Sequence, residues 1–436
     1  MPIKSEDELK ELKSNFNTNG TEFKSKKFEE LQNLIKQSLS KNDSDKALFL
    51  ITKGALSFGS SDIHFDMQEK NVKLRFRIDG LLAEVMMFSF GEYKLLLERL
   101  KYKSELKLNI TDLPQDGKYR IVDGGKNIDV RISSLPVKSG ENVVCRLLDS
   151  TQAIIDFVSL GFMWTSKRQI EKSLSKKNGM IIVTGPTGSG KTTTLYSMLN
   201  CLNTADKKII TLEDPVEYEV PGIVQSEVNE KRGYTYTSGL KTLLRQDPDV
   251  IMIGEMRDLE SANIAAQSAM TGHLVFSTLH TNGATETIER LLNMGLPGYI
   301  LSSSIDIIIA QRLVRKICPK CNEKYEANET EREIIKWIMK DIGVESVTKN
   351  KKNEGFTLCK GTGCEECGHT GYKGRIGIFE VLYFSDKIRA LIREGSNPSE
   401  ILKEARKNDF MLMREDGVLK ALKGITTLEE VFNVVE

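Results

Sequence analysis

Met180-Ile181-Ile182-Val183-Thr184-Gly185-Pro186-Thr187-Gly188-Ser189-Gly190-Lys191-Thr192-Thr193 joins an apolar run to a helical one through a glycine-rich turn. Gly185 to Thr192 satisfy the pattern G-x-x-x-x-G-K-[ST]. The strand Met180 to Val183 before it and the helical stretch Thr193 to Leu202 after it supply the context that this pattern needs. The glycines let backbone N–H groups curl around phosphates, and the positive end of the following helix points at them. Gly185, Pro186, Thr187, Gly188, Ser189, Gly190, Lys191, Thr192 and Thr193 are therefore the expected nucleotide-binding set. Lys191 would reach the β- and γ-phosphates, and the Thr192 hydroxyl would ligate Mg²⁺.

Working outward, Lys208 to Leu212, Val250 to Ile253 and Leu274 to Ser277 are further continuous apolar runs separated by helical segments. Such runs belong to a parallel sheet covered on both faces, so residues 159–316 read as an α/β domain. Hydrolysis needs a base for water and a second anchor for the metal, both at the carboxyl ends of strands. Glu213-Asp214-Pro215-Val216-Glu217, Gly254-Glu255-Met256-Arg257-Asp258 and His280-Thr281-Asn282-Gly283 stand there. Glu213 is the expected general base. Glu255 follows a strand whose usual Mg²⁺-linked Asp is replaced by Gly254, so it would act on the metal through water. His273 and His280 bracket one strand, and each could sense the γ-phosphate or only satisfy a loop hydrogen bond.

Upstream, residues 1–45 are polar with one amphipathic helical spacing at Phe28, Leu31, Leu34, Ile35 and Leu39. From Ala47 the expectation is alternating strands: Ile63 to Met67, Val72 to Ile78 and Leu81 to Met87, the last two joined through the hairpin signal Asp79-Gly80. Residues 46–150 thus read as a small α+β domain, with a linker over 151–158.

Lysine and arginine total 62 against 61 acidic residues, a net charge of +1, which removes the simplest electrostatic case for nucleic-acid binding. No run approaches the roughly 18 apolar residues of a membrane span, and the acidic amino end is no secretory signal, so a cytosolic protein is expected. Five of seven cysteines cluster, and Cys318-Pro319-Lys320-Cys321 with Cys364-Glu365-Glu366-Cys367 form paired C-x-x-C knuckles. Four thiolates suit a structural, tetrahedral Zn²⁺. The segment between the knuckles, Tyr325 to Leu358, should fold outward as a helical excursion; Cys359, a fifth thiol, is either a substitute ligand or, as the paired knuckles favour, a bystander.

Taken together, Gly185 to Thr192, Leu212 to Glu217, Asp247 to Asp258 and Thr271 to Asn282 resemble the Walker A, Asp box, Walker B and His box of the type II secretion and type IV pilus ATPases. Ser61-Asp62-Ile63-His64, Arg75 to Gly80 and Pro114 to Gly117 resemble the domain that precedes the core in that family. The resemblance implies a RecA-like P-loop ATPase core over 159–436 behind a PAS-like α+β domain, with a zinc insertion at 318–374 and C-terminal helices at 385–436. It also implies ATP, Mg²⁺ and Zn²⁺ as cofactors and a homo-hexamer with nucleotide between the two domains. Arg120 and Arg131 are the leading candidates to complete the site from the first domain, ahead of Arg75, Arg77 and Arg146, because a guanidinium fork neutralises a transferred phosphoryl group.

The cysteine insertion, followed by Thr370 to Glu380, resembles assembly and secretion members rather than retraction motors. The implied role is powering pilus or pseudopilus assembly through an inner-membrane platform protein, the chain lying peripherally on the inner face of that membrane. The 45 polar residues at the front are too few for the extra docking domain that assembly members commonly carry. A retraction or DNA-uptake motor, and a zinc-ribbon nucleic-acid translocase, are the competing readings. The acidic Glu365-Glu366 between two thiols opposes the last of these.

Overall fold

The computed structural model describes residues 26–123, 126–149, 155–342 and 355–435. The first 25 residues of the polar leader, the start of the expected linker and residues 343–354 of the insertion lie outside them.

Two helices, α1 (Lys26–Ser40) and α2 (Ser44–Ser57), come first. α2 occupies residues where alternating strands were expected to begin. Ala47, Leu48, Ile51 and Ala55 recur at helical spacing and are buried, and the Asp43 side chain accepts from the Lys46 N–H to cap the first turn. Phe28, Leu31, Ile35 and Leu39 of α1 enter the same core as the strands that follow. Those are β1 (Ser60–Met67), β2 (Val72–Ile78) and β3 (Leu81–Phe88), then α3 (Phe90–Lys103), then β4 (Gln115–Asp123), β5 (Lys126–Val137) and β6 (Gly140–Asp149). They form one antiparallel sheet in the order β3-β2-β1-β6-β5-β4. Asp79 (φ 49°) and Gly80 (φ 92°) both take positive φ in the β2–β3 turn, the backbone that an Asp-Gly hairpin requires.

The second sheet carries the glycine-rich turn. After α4 (Trp164–Leu174) come β7 (Gly179–Thr184), α5 (Lys191–Leu202), β8 (Ile209–Glu213), β9 (Val224–Glu227), α6 (Tyr236–Leu243), β10 (Val250–Ile253), α7 (Leu259–Met270) and β11 (Leu274–Leu279). α8 (Ala284–Asn293), α9 (Gly298–Ser304) and the long β12 (Ile305–Ile317) follow. β7, β8, β10 and β11 are buried along their whole length, as continuous apolar runs demand.

A ribbon of β13 (Asn322–Glu326) and β14 (Thr357–Gly361), linked through α10 (Glu329–Ile342), precedes β15 (Tyr372–Tyr383). The chain ends in α11 (Asp386–Arg393), α12 (Pro398–Arg406), α13 (Met413–Leu422) and α14 (Leu428–Val434). The large sheet runs β15-β12-β7-β11-β10-β8-β9, parallel from β12 to β9, with β15 antiparallel at the edge.

The expected excursion is helical over α10, but its described part folds inward rather than outward. Tyr325 pairs with Leu358 across the ribbon, and Ile334, Ile335, Ile338 and Met339 of α10 are buried in the main core, where α10 packs on α13. An apolar stripe of that width has to be covered, and the C-terminal helices cover it.

Candidate functional site

β7 ends at Thr184, and the turn from Gly185 to Gly190 leads into α5, whose first residues are Lys191, Thr192 and Thr193. Gly185, Gly188 and Gly190 have φ of 150°, 80° and 87°. At Gly185 a Cβ would also stand 2.6 Å from both the Gln311 carbonyl oxygen and Ser189 Oγ, so glycine is required twice over. Gln311 of β12 clamps the turn from outside, its Nε2 donating to the Ser189 carbonyl at 2.6 Å. Lys191 Nζ donates to the carbonyls of Gly185 (2.8 Å) and Pro186 (3.1 Å). Burial lowers the Lys191 pKa, against the opposing pull of Glu255.

Gly190, at the end of the turn, borders a cavity of about 700 Å³, and Pro186 to Ser189 line a second one of about 520 Å³ with Asp79 and Gly80. Gly190, Thr193 and Thr194 line one wall of the larger cavity, Leu160 and Phe379 another, and Phe58, Gly59 and Asp79 of the first sheet layer a third.

The carboxyl ends of β8, β10 and β11 converge beside it, as the topology requires. Glu213 closes β8 and is 3% exposed. It accepts from Thr211 Oγ1 (2.6 Å), from Gln225 Nε2 (3.3 Å) and from the Tyr196 hydroxyl. Burial raises the Glu213 pKa, and those three donors work against the rise. Burial also pushes the Tyr196 phenol far up, so it stays protonated and able to donate.

Glu255 follows β10. His280 Nε2 lies 3.4 Å from Glu255 Oε1, Arg257 Nε donates to Glu255 Oε2 at 3.0 Å, and Arg257 Nη1 stands 3.4 Å from Asp214. The two histidines separate completely. His280 sits at the carboxyl end of β11 with the carboxylates, whereas His273 precedes the amino end, its Nδ1 3.1 Å from the Ser268 carbonyl oxygen at the opposite end of the strands.

The first-domain arginines divide as well. Arg131 of β5 bonds Glu217 at 3.0 Å and the Val216 carbonyl, so it grips the loop that follows Glu213. Arg120 forks onto Asp129 of the neighbouring strand at 2.6 and 3.0 Å. Arg75 pairs with Asp66, while Arg77 and Arg146 pair with Asp62, all within their own sheet.

The Sγ atoms of Cys318, Cys321, Cys364 and Cys367 lie within 4.8 Å of one another. Three of the separations, Cys318–Cys364, Cys321–Cys367 and Cys364–Cys367, are 3.9, 3.8 and 3.8 Å. A tetrahedral ion bonded to sulfur at about 2.3 Å sets its ligands about 3.8 Å apart, so the four thiols fit one metal. Cys359 stands apart in β14, its Sγ against Gly424. The N–H groups of Cys364 (3.2 Å) and Gly371 (3.3 Å) point at Cys367 Sγ.

Two of these contributors left little trace in the sequence. Gln311 shows only as a polar residue after the apolar run Ile307 to Ala310, and Tyr196 as one aromatic in a helix. Their importance comes from what the fold places opposite them.

The family model described as "Type II/IV secretion system protein" matches residues 41–433. The chain belongs to that family. It is 42% identical over 382 residues to the "Type II secretion system ATPase E" of Vibrio cholerae, covering 88% of this chain and 73% of that relative. It is 44% identical over 383 residues to the "Type IV pilus assembly ATPase PilB" of Pseudomonas aeruginosa, covering 88% of this chain and 66% of the relative. Among solved structures it resembles the pilus retraction motor PilT with bound ADP, with a TM-score of 0.57, 27% identity, and coverage of 88% of this chain and 95% of that one. The fold also matches the Legionella pneumophila ATPase DotB, with a TM-score of 0.64 at 21% identity over 89% of this chain and 94% of that one. The protein is thus a P-loop ATPase of the secretion and pilus group. Among the described residues no helix is long and apolar enough to cross a membrane.

Proposed function

We propose that the chain is an ATP-driven motor for assembly of a type IV pilus or type II secretion pseudopilus, working as a homo-hexamer on the cytoplasmic face of the inner membrane against a platform protein. The observation that carries this is the cavity at the P-loop, because one of its walls belongs to the first domain. A nucleotide seated there touches both domains, so its hydrolysis changes what holds them together.

The strand order β12-β7-β11-β10-β8, with phosphate turn and carboxylates at the carboxyl ends of the strands, supports a RecA-like core, and the antiparallel sheet supports a PAS-like first domain. Lys191 exchanges its two loop carbonyls for phosphate oxygens, a stronger, charge-assisted interaction. Thr192 directly, and Glu255 through water, would hold Mg²⁺, which neutralises charge on the phosphates. Glu213 is the base, its pKa lifted by burial toward the range in which a carboxylate can take a proton from water. His280, beside Glu255, would face the γ-phosphate. Arg131 ties the first domain to the Glu213 loop, and Arg120, committed to Asp129 here, would serve a neighbouring subunit of a head-to-tail ring.

The four thiols, in the segment that connects β12 to β15, would hold a structural Zn²⁺. Relatives bearing secretion and assembly names match at 42% and 44% identity.

The test has two parts. Mg²⁺-dependent ATP turnover is measured for the wild type and for Lys191→Ala. Surface piliation and secretion are then scored in a null strain complemented with each. Restored assembly that needs Lys191 supports the reading; assembly that proceeds without the gene, with filament retraction lost instead, overturns it.

A further inference from the structure

We propose that Glu380, in β15, is a positioning residue for ATP turnover, whose carboxylate fixes the His280 loop and the C-terminal helices to one point. The proposal rests on the reading of His280 given above.

The loop His280-Thr281-Asn282 runs into α8 with Gly283 at the cap position, where no side chain can accept the exposed N–H groups of the first turn. Glu380 supplies the missing acceptor from 96 residues away, its Oε2 taking the Ala284 N–H at 3.0 Å. Its other oxygen, Oε1, accepts from Met413 N–H at 3.3 Å, at the start of α13. One carboxylate therefore lies against the positive ends of two helices, whose N–H groups favour its negative charge, while burial and the neighbouring Glu286 and Glu415 raise its pKa. It is 8% exposed, so water does not replace either bond cheaply.

The position also has a register logic. Glu380 pairs with Ala310 of β12, and Ala310 pairs with Thr184 of β7, the residue before the glycine-rich turn. Thr184 holds the same loop from the other side. Its Oγ1 accepts from Thr281 N–H at 3.0 Å and lies 2.6 Å from Thr281 Oγ1, which in turn lies 2.7 Å from Thr287 Oγ1. His280 is thus carried on a loop pinned by a hydroxyl chain on one side and a carboxylate on the other. Gly283 fits the same arrangement, since a Cβ there would stand 3.3 Å from Glu380 Oε2.

The chemistry calls for a carboxylate in particular. Its two oxygens serve two N–H donors, whereas an amide offers one acceptor and turns an NH₂ group toward the second donor. Glu380→Gln keeps the volume and packing but leaves one helix start facing a donor.

The experiment is a double-mutant cycle on the intact chain with Glu380→Gln, His280→Ala and the pair, reading kcat and KM for Mg-ATP together with the melting temperature. Glu380→Gln is expected to lower kcat about tenfold or more through misplacement of the loop, with KM within about twofold of wild type because phosphate binding at Lys191 is untouched. The pair should be no slower than His280→Ala alone, since Glu380 acts through the loop that carries it. Losses that multiply, or an unchanged kcat in Glu380→Gln while His280→Ala is slow, overturn the role of Glu380 and leave that of His280 standing. A fast His280→Ala overturns both.

Discussion

Replacing Tyr196 by Phe removes one oxygen atom from the buried wall behind Glu213 and leaves the ring where it is. The side chain is fully buried, edge-on to Tyr218 with centroids 4.6 Å apart, so packing should survive. What is lost is one of three hydrogen bonds to the Glu213 carboxylate, together with an acceptor for Gln225 Nε2 at 3.2 Å. A hydrogen bond to a charged group contributes about 1.5–3 kcal/mol. The sign follows from the causes acting on Glu213: burial already raises its pKa, the Tyr196 bond opposes that rise, and removing the bond raises it further. A base must be ionised, so activity rises as pH climbs through its pKa, and the variant's rise is displaced to higher pH. At about 1.4 kcal/mol per factor of ten, the ionised fraction in the acidic limb falls about ten- to a hundredfold, and the deficit closes at alkaline pH. Steady-state phosphate release at saturating Mg-ATP, over about pH 6 to 9, reads this directly, with Glu213→Gln as the inactive reference. A Tyr196→Phe profile parallel to wild type at every pH would refute the assignment of Glu213 as a base governed by this network.

Other expectations are simpler to check. Elemental analysis of the purified protein should find one zinc per chain, and Cys367→Ser should lose it together with several degrees of melting temperature. Arg131→Ala breaks a bridge whose partners are each about 30% exposed, so chemical denaturation should show a loss of only about 0.2–1 kcal/mol while turnover falls because the Glu213 loop loses its anchor. Lys101→Met strands Glu141, 2% exposed and otherwise bonded at 2.6 Å to Lys101 and to Ser134. Denaturation of that variant should show a loss of about 3–5 kcal/mol, in contrast to Arg131→Ala.

The parts of the fold legible in the sequence were those with strong local patterns. Four largely apolar, fully buried strands, a glycine turn between strand and helix, and Asp79-Gly80 each have one cheap backbone solution, and the structure adopts it. The parts that were not legible depended on a distant partner. α2 hides among residues of mixed character because only one face of it, Ala47, Leu48, Ile51 and Ala55, enters the core shared with α1 and the first sheet. α10 looks like an excursion until α13, more than seventy residues later, provides the surface that buries Ile334 and Ile338.

The same division runs through the site. Glycine at three positions, a lysine, a hydroxyl and paired C-x-x-C knuckles carry their chemistry in local geometry, so the sequence alone determined a nucleotide turn and a four-thiol cluster. Which of two histidines joins the carboxylates, which arginine crosses between domains, and which donors surround Glu213 were decided only by the tertiary structure. Each depends on strand order and register, and these bring Thr184, Ala310 and Glu380 into one row from positions up to 196 residues apart. Local propensity cannot encode such a row; only the packing of the whole sheet selects it.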